Sequence, residues 1–300
     1  MDPKTAVSRC GFVAIVGRPN VGKSTLLNHL VGQKVSITSD KPQTTRHRIL
    51  GIKTAHGAQT IYVDTPGLHG RAGRAITRAM NRVAQGALQE VDLVVFVVEA
   101  PRWTEDDALV AERLRELKVP VIVAVNKVDR VRRREDLLPY LGELATRGAF
   151  AEIVPVSARS GDQLDTLERE VSRRLPESAA LFPADQVTDR TERFLAGEII
   201  REKLMRRLGE EVPYRLSVEV ERFSEEGRTT RIDAVVWVEK AGQKAIVIGA
   251  DGKMLKAVGA DARRDIERML ERPVYLSLWV KVKEGWSDDE RSLRRLGYDG

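Results

Sequence analysis

Gly17-Arg18-Pro19-Asn20-Val21-Gly22-Lys23-Ser24 has the spacing G-x-x-x-x-G-K-[ST], and those residue types can cradle phosphate. The glycines let backbone N–H groups turn inward around phosphate oxygens, and a helix opening near Lys23 adds a favourable field at its N-terminus. Lys23 is placed to bridge β- and γ-phosphates, and the Ser24 hydroxyl to ligate Mg²⁺. Gly17, Asn20, Val21, Gly22, Lys23, Ser24 and Thr25 are the expected nucleotide contacts of this loop. Farther along, Asp64-Thr65-Pro66-Gly67 closes a short apolar run. A carboxylate there can hold Mg²⁺ through a water, and the Gly67 N–H can meet the γ-phosphate. Between the two motifs, residues 36–48 are polar and aperiodic and contain Thr44 and Thr45. A threonine in such a loop completes the Mg²⁺ shell only when a γ-phosphate is present, so the loop is expected to order with the triphosphate and relax with the diphosphate. Thr45 is the favoured ligand and Thr44 the alternative. The expected metal ligands are then Ser24, Thr45 and Asp64, and the expected catalytic residues Lys23, Thr45, Asp64 and Gly67.

Asn126-Lys127-Val128-Asp129 follows another apolar run. Asp129 can accept from guanine N1–H and the 2-amino group together, whereas adenine would leave the carboxylate unpaired, a mismatch that costs orders of magnitude in binding. Lys127 can lay its stem over the base plane, and Asn126 can tie this loop to the phosphate loop. Ser157-Ala158, after a further apolar run, can offer the Ala158 N–H to guanine O6. Each tetrapeptide alone is common by chance, but four elements in this order, each ending a strand, point to a guanine-nucleotide site.

These motifs need a scaffold that brings strand ends together. Residues 12–16, 60–63, 93–98, 119–125 and 153–156 are apolar runs, several almost continuous, as strands buried on both faces should be. Helical patterns such as 108–117 and 133–144 lie between them. The alternation reads as a doubly wound α/β domain with a largely parallel sheet, whose ligands bind at the carboxyl ends of the strands. The pattern changes near Leu175. Residues 176–189, with Pro176 and Pro183, read as a linker between a first domain at 1–175 and a second at 190–300. The second half reads as α+β in the order helix, strand, strand, helix, helix, strand. Its helices are expected at 194–208, 243–258 and 261–270, and its strands at 215–223, 232–238 and 274–282.

The net charge of +6 over 300 residues favours a polyanionic partner, either nucleic acid or an acidic membrane surface. Cys10 is the only cysteine, so no disulfide forms within the chain, which suits a reducing cytosol. The chain runs into its first strand without a signal-peptide pattern, and no apolar run approaches a membrane-spanning length. A cytoplasmic location is expected, with peripheral membrane contact left open.

The chain resembles the Era family of bacterial GTPases over nearly its whole length. The resemblance rests on residues 17–24, Gln43-Thr44-Thr45-Arg46-His47-Arg48, residues 64–69 and 126–129, then on 188–206 and Gln243-Lys244-Ala245-Ile246-Val247-Ile248-Gly249. It implies a Ras-like P-loop GTPase domain followed by a KH domain of type II topology. It also implies GTP or GDP with Mg²⁺ as cofactors, 16S rRNA near its 3′ end and the small (30S) ribosomal subunit as partners, and a role in assembly of that subunit. No DNA partner is implied, and a monomer is expected. KH domains clamp nucleic-acid backbone with a G-x-x-G loop between helices. Here that loop would be Gly249-Ala250-Asp251-Gly252, with Lys244, Lys253 and Lys256 around it for phosphate. Asp251 is an acidic departure inside the loop that would repel phosphate.

Hydrolysis needs an in-line water and neutralised phosphate charge. Many GTPases orient that water with a glutamine after the Asp-x-x-Gly motif, but here Leu68 stands there. Asn20 matches an asparagine that in related GTPases helps to bind K⁺ where an arginine finger would otherwise reach, so the resemblance implies K⁺ stimulation. Intrinsic turnover is expected to be slow, below about 10⁻² s⁻¹. Of the competing readings, an RNA-binding chaperone with a mainly structural nucleotide site stays open. A tRNA-modifying relative would need a C-terminal cysteine motif that is absent, and a tandem GTPase would need a second P-loop.

Overall fold

The computed structural model describes residues 7–41, 43–66, 75–209 and 211–297. The chain divides into two compact units. The first comprises Met1–Ser36, Thr45–Arg71 and Met80–Asp189, and the second Ile37–Thr44, Ala72–Ala79 and Arg190–Gly300.

The first unit is built on β1 (Arg9–Val16), α1 (Lys23–Val31), β2 (Ile49–Ala55), β3 (Ala58–Asp64), α2 (Ala75–Gln89, whose first turn falls in the second unit), β4 (Leu93–Glu99), α3 (Glu105–Arg115), β5 (Val121–Asn126), α4 (Leu137–Thr146), β6 (Glu152–Pro155) and α5 (Leu164–Arg174). The six strands lie in the order β2-β3-β1-β4-β5-β6. All neighbours are parallel except β2 and β3, which form an antiparallel hairpin. Val13, Ile15, Val95 and Val97 are buried on one side, and Ala14, Val16, Val94, Phe96 and Val98 on the other, as expected of strands covered on both faces. Thr104 starts α3 with a capping box, its hydroxyl accepting from the Asp107 N–H while the Asp107 carboxylate accepts from the Thr104 N–H.

The stretch 176–189 runs along this unit rather than away from it. The Cys10 N–H donates to the Pro176 carbonyl at 3.1 Å and the Ile52 N–H to the Val187 carbonyl at 2.9 Å. Buried Gln59 accepts from the Leu181 and Phe182 N–H groups at 2.8 and 2.9 Å.

The second unit contains α6 (Glu192–Arg207), β7 (Leu216–Glu226), β8 (Thr229–Val238), α7 (Ala241–Ile248), α8 (Lys253–Leu270), β9 (Val274–Val282) and α9 (Glu290–Arg295). Its sheet has the order β7-β8-β9, with β7 antiparallel and β9 parallel to β8. The parallel pair requires a crossover, which α7 and α8 supply. Ile200, Leu204, Ile232, Val236, Val258 and Ile266 pack into one core between helices and sheet. Ile37–Thr44 joins this unit through α6: the Thr38 N–H donates to Glu202 at 2.9 Å, and Arg201 donates to the Thr44 carbonyl at 2.5 Å. After β9 the chain packs at Trp286, which is fully buried, and at Ser287, which donates to Glu239 at 2.5 Å.

Two sequence expectations are corrected. The hairpin strand β2 lies where no strand was expected. The helical stretch expected at 243–258 ends instead at Ile248, and α8 runs unbroken through Gly259. Gly259 lies inside α8 without a positive φ, and a Cβ there would meet only Leu278, at an ordinary contact distance of 3.5 Å, so nothing at this glycine ends the helix. The break falls at Gly249–Gly252, where Gly249, Asp251 and Gly252 all have positive φ.

Candidate functional site

The loop after β1 is held in its curve by residues in the left-handed region: Asn20 has φ 65° and Gly22 φ 103°. Gly17, at φ 150°, lies so close to β4 that a Cβ would come 2.3 Å from the Val97 carbonyl oxygen. At Gly22 a Cβ would come 2.3 Å from Asn126 Nδ2. Both glycines are therefore required by close approach. Helix α1 begins directly at Lys23, so its first amides face the loop, with Ser24 and Thr25 in its first turn. The Lys23 ammonium is buried and donates to the Gly17 and Arg18 carbonyls, each at 2.9 Å. Burial pushes it down to about 8, against the opposite pull of Asp64.

In-register pairing of Ile15 with Asp64 brings the end of β3 beside the start of this loop. Asp64 is fully buried, and its Oδ2 accepts from three hydroxyls: Ser36 at 2.7 Å, Ser24 at 3.0 Å and Thr45 at 3.4 Å. Ser24 and Thr45 hydroxyls are 3.0 Å apart. The other oxygen, Oδ1, is buried with no hydrogen-bond partner among the described residues. Burial pushes this carboxyl above its ordinary range, against the lowering effect of Ser36, Lys23, Ser24 and Thr45. A buried carboxylate with one oxygen unsatisfied, ringed by hydroxyl oxygens, fits a hard divalent cation such as Mg²⁺. Thr44 takes no part in this ring; its hydroxyl donates to the Lys41 carbonyl at 2.5 Å. Gly67 and Leu68 lie outside the described residues.

The second half of the site is built at the end of β5. Asn126 donates from Nδ2 to the Val21 carbonyl at 2.7 Å and accepts at Oδ1 from the Ala158 N–H at 2.9 Å, which laces three loops together. Ser157 donates to Asp129 at 2.7 Å, which orients that carboxylate. Lys127, at φ 65°, donates to the Asn20 carbonyl at 2.7 Å. The loops carrying Gly17, Lys23, Ser24, Thr45, Asp64, Asn126, Lys127, Asp129, Ser157 and Ala158 thus converge on the carboxyl edge of one sheet.

Sequence reading missed Ser36, Arg18, Glu99 and Asp107. Ser36 gives Asp64 its shortest hydrogen bond. Glu99 is the last residue of β4, and an acid at the carboxyl end of a central strand is the signal that could have flagged it.

In the second unit, the turn from α7 to α8 carries Gly249, Ala250, Asp251 and Gly252. Gly249 has φ 74° and ψ 172°, and a Cβ there would come 2.6 Å from the Met254 Cβ. Lys253 and Lys256 are exposed and Lys244 is half-buried. Asp251 is exposed and pairs with Lys253 at 3.3 Å, so solvent screens both its charge and the pair.

Residues 12–127 match the family model described as 50S ribosome-binding GTPase, and residues 211–287 match that of the KH domain. The fold and the site define a P-loop GTPase joined to a KH domain. Over its full extent the chain is 57% identical across 297 residues to GTPase Era of Pseudomonas aeruginosa, covering 99% of this chain and 97% of that protein. It is 58% identical across 292 residues to GTPase Era of Ectopseudomonas mendocina, covering 97% and 98%. A crystal structure of an Aquifex aeolicus Era variant bound to GDP·AlF4⁻ superposes with a TM-score of 0.94 at 39% identity, covering 97% of this chain and 100% of that one. Era in complex with MgGDPNP and nucleotides 1506–1542 of 16S ribosomal RNA matches with a TM-score of 0.94 at 40% identity, covering 98% and 100%. The chain belongs to the Era family of GTPases, and its nucleotides are GTP and GDP.

Proposed function

We propose that the first unit hydrolyses GTP at the cluster of Lys23, Ser24, Thr45 and Asp64, and that the second unit binds 16S rRNA near its 3′ end to time maturation of the small ribosomal subunit. The single observation that supports the catalytic assignment most is the buried Asp64 carboxylate ringed by the Ser24, Ser36 and Thr45 hydroxyls. Ser24, Thr45 and Asp64 would hold Mg²⁺, which when bound neutralises charge on the β- and γ-phosphates. Lys23 exchanges the Gly17 and Arg18 carbonyls for phosphate oxygens. The backbone N–H groups of residues 20–25 orient the phosphate chain, and the Gly67 N–H meets the γ-phosphate. Thr45 reports the γ-phosphate, which ties the order of residues 36–48 to the nucleotide state. Asn126, Lys127, Asp129, Ser157 and Ala158 select guanine. Asn20 is the proposed residue for K⁺ stimulation.

For the RNA, Gly249, Ala250, Asp251 and Gly252 would clamp backbone, with Lys244, Lys253 and Lys256 against phosphates. The Era structure bound to nucleotides 1506–1542 supports this target. We take the GTPase domain as 1–175, the connecting segment as 176–189 and the KH domain as 190–300. The protein acts as a cytoplasmic monomer on RNA rather than DNA. Among the described residues no helix is long and apolar enough to cross a membrane, and any contact with the inner face of the cell membrane is peripheral.

The test combines Lys23→Ala and Asp64→Asn with a paired Lys253→Ala, Lys256→Ala variant of the full chain. The first two should lose GTP hydrolysis while the paired variant keeps it and loses RNA affinity. If Lys23→Ala remodels ribosomal RNA as well as the unaltered chain, the nucleotide site is structural and the protein is an RNA chaperone.

A further inference from the structure

We infer that Glu99 sets guanine affinity as a positioning residue: it fixes Lys127 where its stem meets the base and ties that loop to the phosphate loop through Arg18. The inference rests on the reading of Lys127 as a base contact. Glu99 ends β4 directly beside Asn126, its in-register partner at the end of β5. The next N–H, of Ala100, donates to the Asn126 carbonyl at 2.8 Å, so backbone and side chain both face the base-recognition loop. The two carboxylate oxygens face cations from different loops. Oε1 lies 2.9 Å from the Lys127 ammonium and Oε2 3.0 Å from an Arg18 guanidinium nitrogen.

Lys127 has a flexible four-carbon stem, and ordering it costs rotamer entropy. Two acceptors on its ammonium, Glu99 Oε1 and the Asn20 carbonyl, meet that cost before nucleotide arrives. Arg18 is anchored from behind, its Nε donating at 3.1 Å to Asp107, a fully buried carboxylate that also caps α3. Arg18 is therefore engaged by Glu99 and Asp107, and its part is to hold the phosphate loop against the base loop. Side-chain exposures of 15% for Arg18, 18% for Lys127 and 23% for Glu99 keep these charge-assisted bonds from full solvent screening. Arg130, 3.8 Å from Glu99, adds a further cation on the base-loop side.

The experiment measures GDP and IDP affinity, GDP release and saturated GTP turnover for the full chain and for Glu99→Gln, Lys127→Met and their double variant. Glu99→Gln should weaken GDP about tenfold through faster release, with kcat at saturating GTP within about twofold of the unaltered chain. Lys127→Met should lose at least as much, and the loss in the double variant should fall well short of the sum of the two, because Glu99 acts chiefly through Lys127. Additive losses in the double variant would overturn the inference, as would unaltered GDP release in Glu99→Gln beside an impaired Lys127→Met. Unaltered affinity in Lys127→Met would instead overturn the base assignment beneath it. Should Glu99→Gln not fold, Glu99→Asp keeps the charge but withdraws it by one methylene from Lys127. Faster GDP release from that folded variant supports the role, and unaltered release overturns it.

Discussion

The Ser24 and Thr45 hydroxyls stand 3.0 Å apart and face the same carboxylate oxygen of Asp64. One hydroxyl comes from the first turn of α1 and the other from the loop before β2, so the pair links these two segments at Asp64. Thr44, one residue earlier, is engaged with the Lys41 carbonyl. The choice between two adjacent threonines thus has a geometric basis.

Thr45→Ala should weaken Mg²⁺ binding in the complex with a non-hydrolysable GTP analogue by about tenfold or more, while Thr44→Ala leaves it near the unaltered value. Titration of Mg²⁺ against a fluorescent analogue measures both. Equal losses in the two variants would refute the assignment.

Ser36→Ala removes the shortest hydrogen bond to a fully buried carboxylate that is already short of partners. It should cost about 1–3 kcal/mol of stability without nucleotide. Chemical denaturation checks this, and Mg²⁺ with nucleotide should recover part of the loss by linkage.

Much of this was legible in the sequence because the chemistry restricts residue type. A loop whose curve passes through Gly17 and Gly22 admits no Cβ at either, so the glycines announce it. Long apolar runs such as residues 93–98 announce central strands. Strand β2 was not legible, because Gly51, Lys53 and Thr54 interrupt its apolar pattern and a polar loop precedes it. Its signal was the His56–Gly57 turn, where both residues have positive φ, a geometry matched to tight hairpins. Periodicity alone misplaced the helix break in the second unit near Gly259, although the G-x-x-G loop at Gly249–Gly252, read from the resemblance, lies where the break falls, because Gly259 and Gly249 look alike in sequence. Only the positive φ at Gly249 and the close approach of Met254 to it separate the two. The Arg18–Glu99 pair was illegible for another reason: it joins residues 81 positions apart, and nothing local encodes it.

The two glycines of the α7–α8 turn should differ. Gly249 sits in a region of backbone space open essentially to glycine, with Met254 against it, so Gly249→Ala should cost about 2–4 kcal/mol and impair RNA binding. Gly252 has φ 72° but open space where a Cβ would lie, so Gly252→Ala should cost only about 1 kcal/mol. Thermal denaturation of the two variants decides it, and equal costs would count against the turn geometry.

Acid should weaken the Glu99 hub. Burial pushes this carboxyl up, but hydrogen bonds and charge from Lys127 and Arg18 outweigh it and hold the group below its ordinary range. A carboxyl depressed in the folded state contributes stability above its unfolded range, and that contribution fades as pH falls through the folded value. The stability gap between the unaltered chain and Glu99→Gln should therefore be present at neutral pH and close on acidification through the glutamate range. A gap that widens in acid would contradict the ion-pair description.

The most direct test of the whole account is RNA binding by the full chain, loaded with GDP or with a non-hydrolysable GTP analogue, to the single-stranded 3′ tail of 16S rRNA and to a scrambled RNA. The account predicts tight binding to the native tail alone, stronger in the GTP-like state. Equal, salt-sensitive binding to both RNAs in both nucleotide states would contradict it, leaving a GTPase with a generic basic surface.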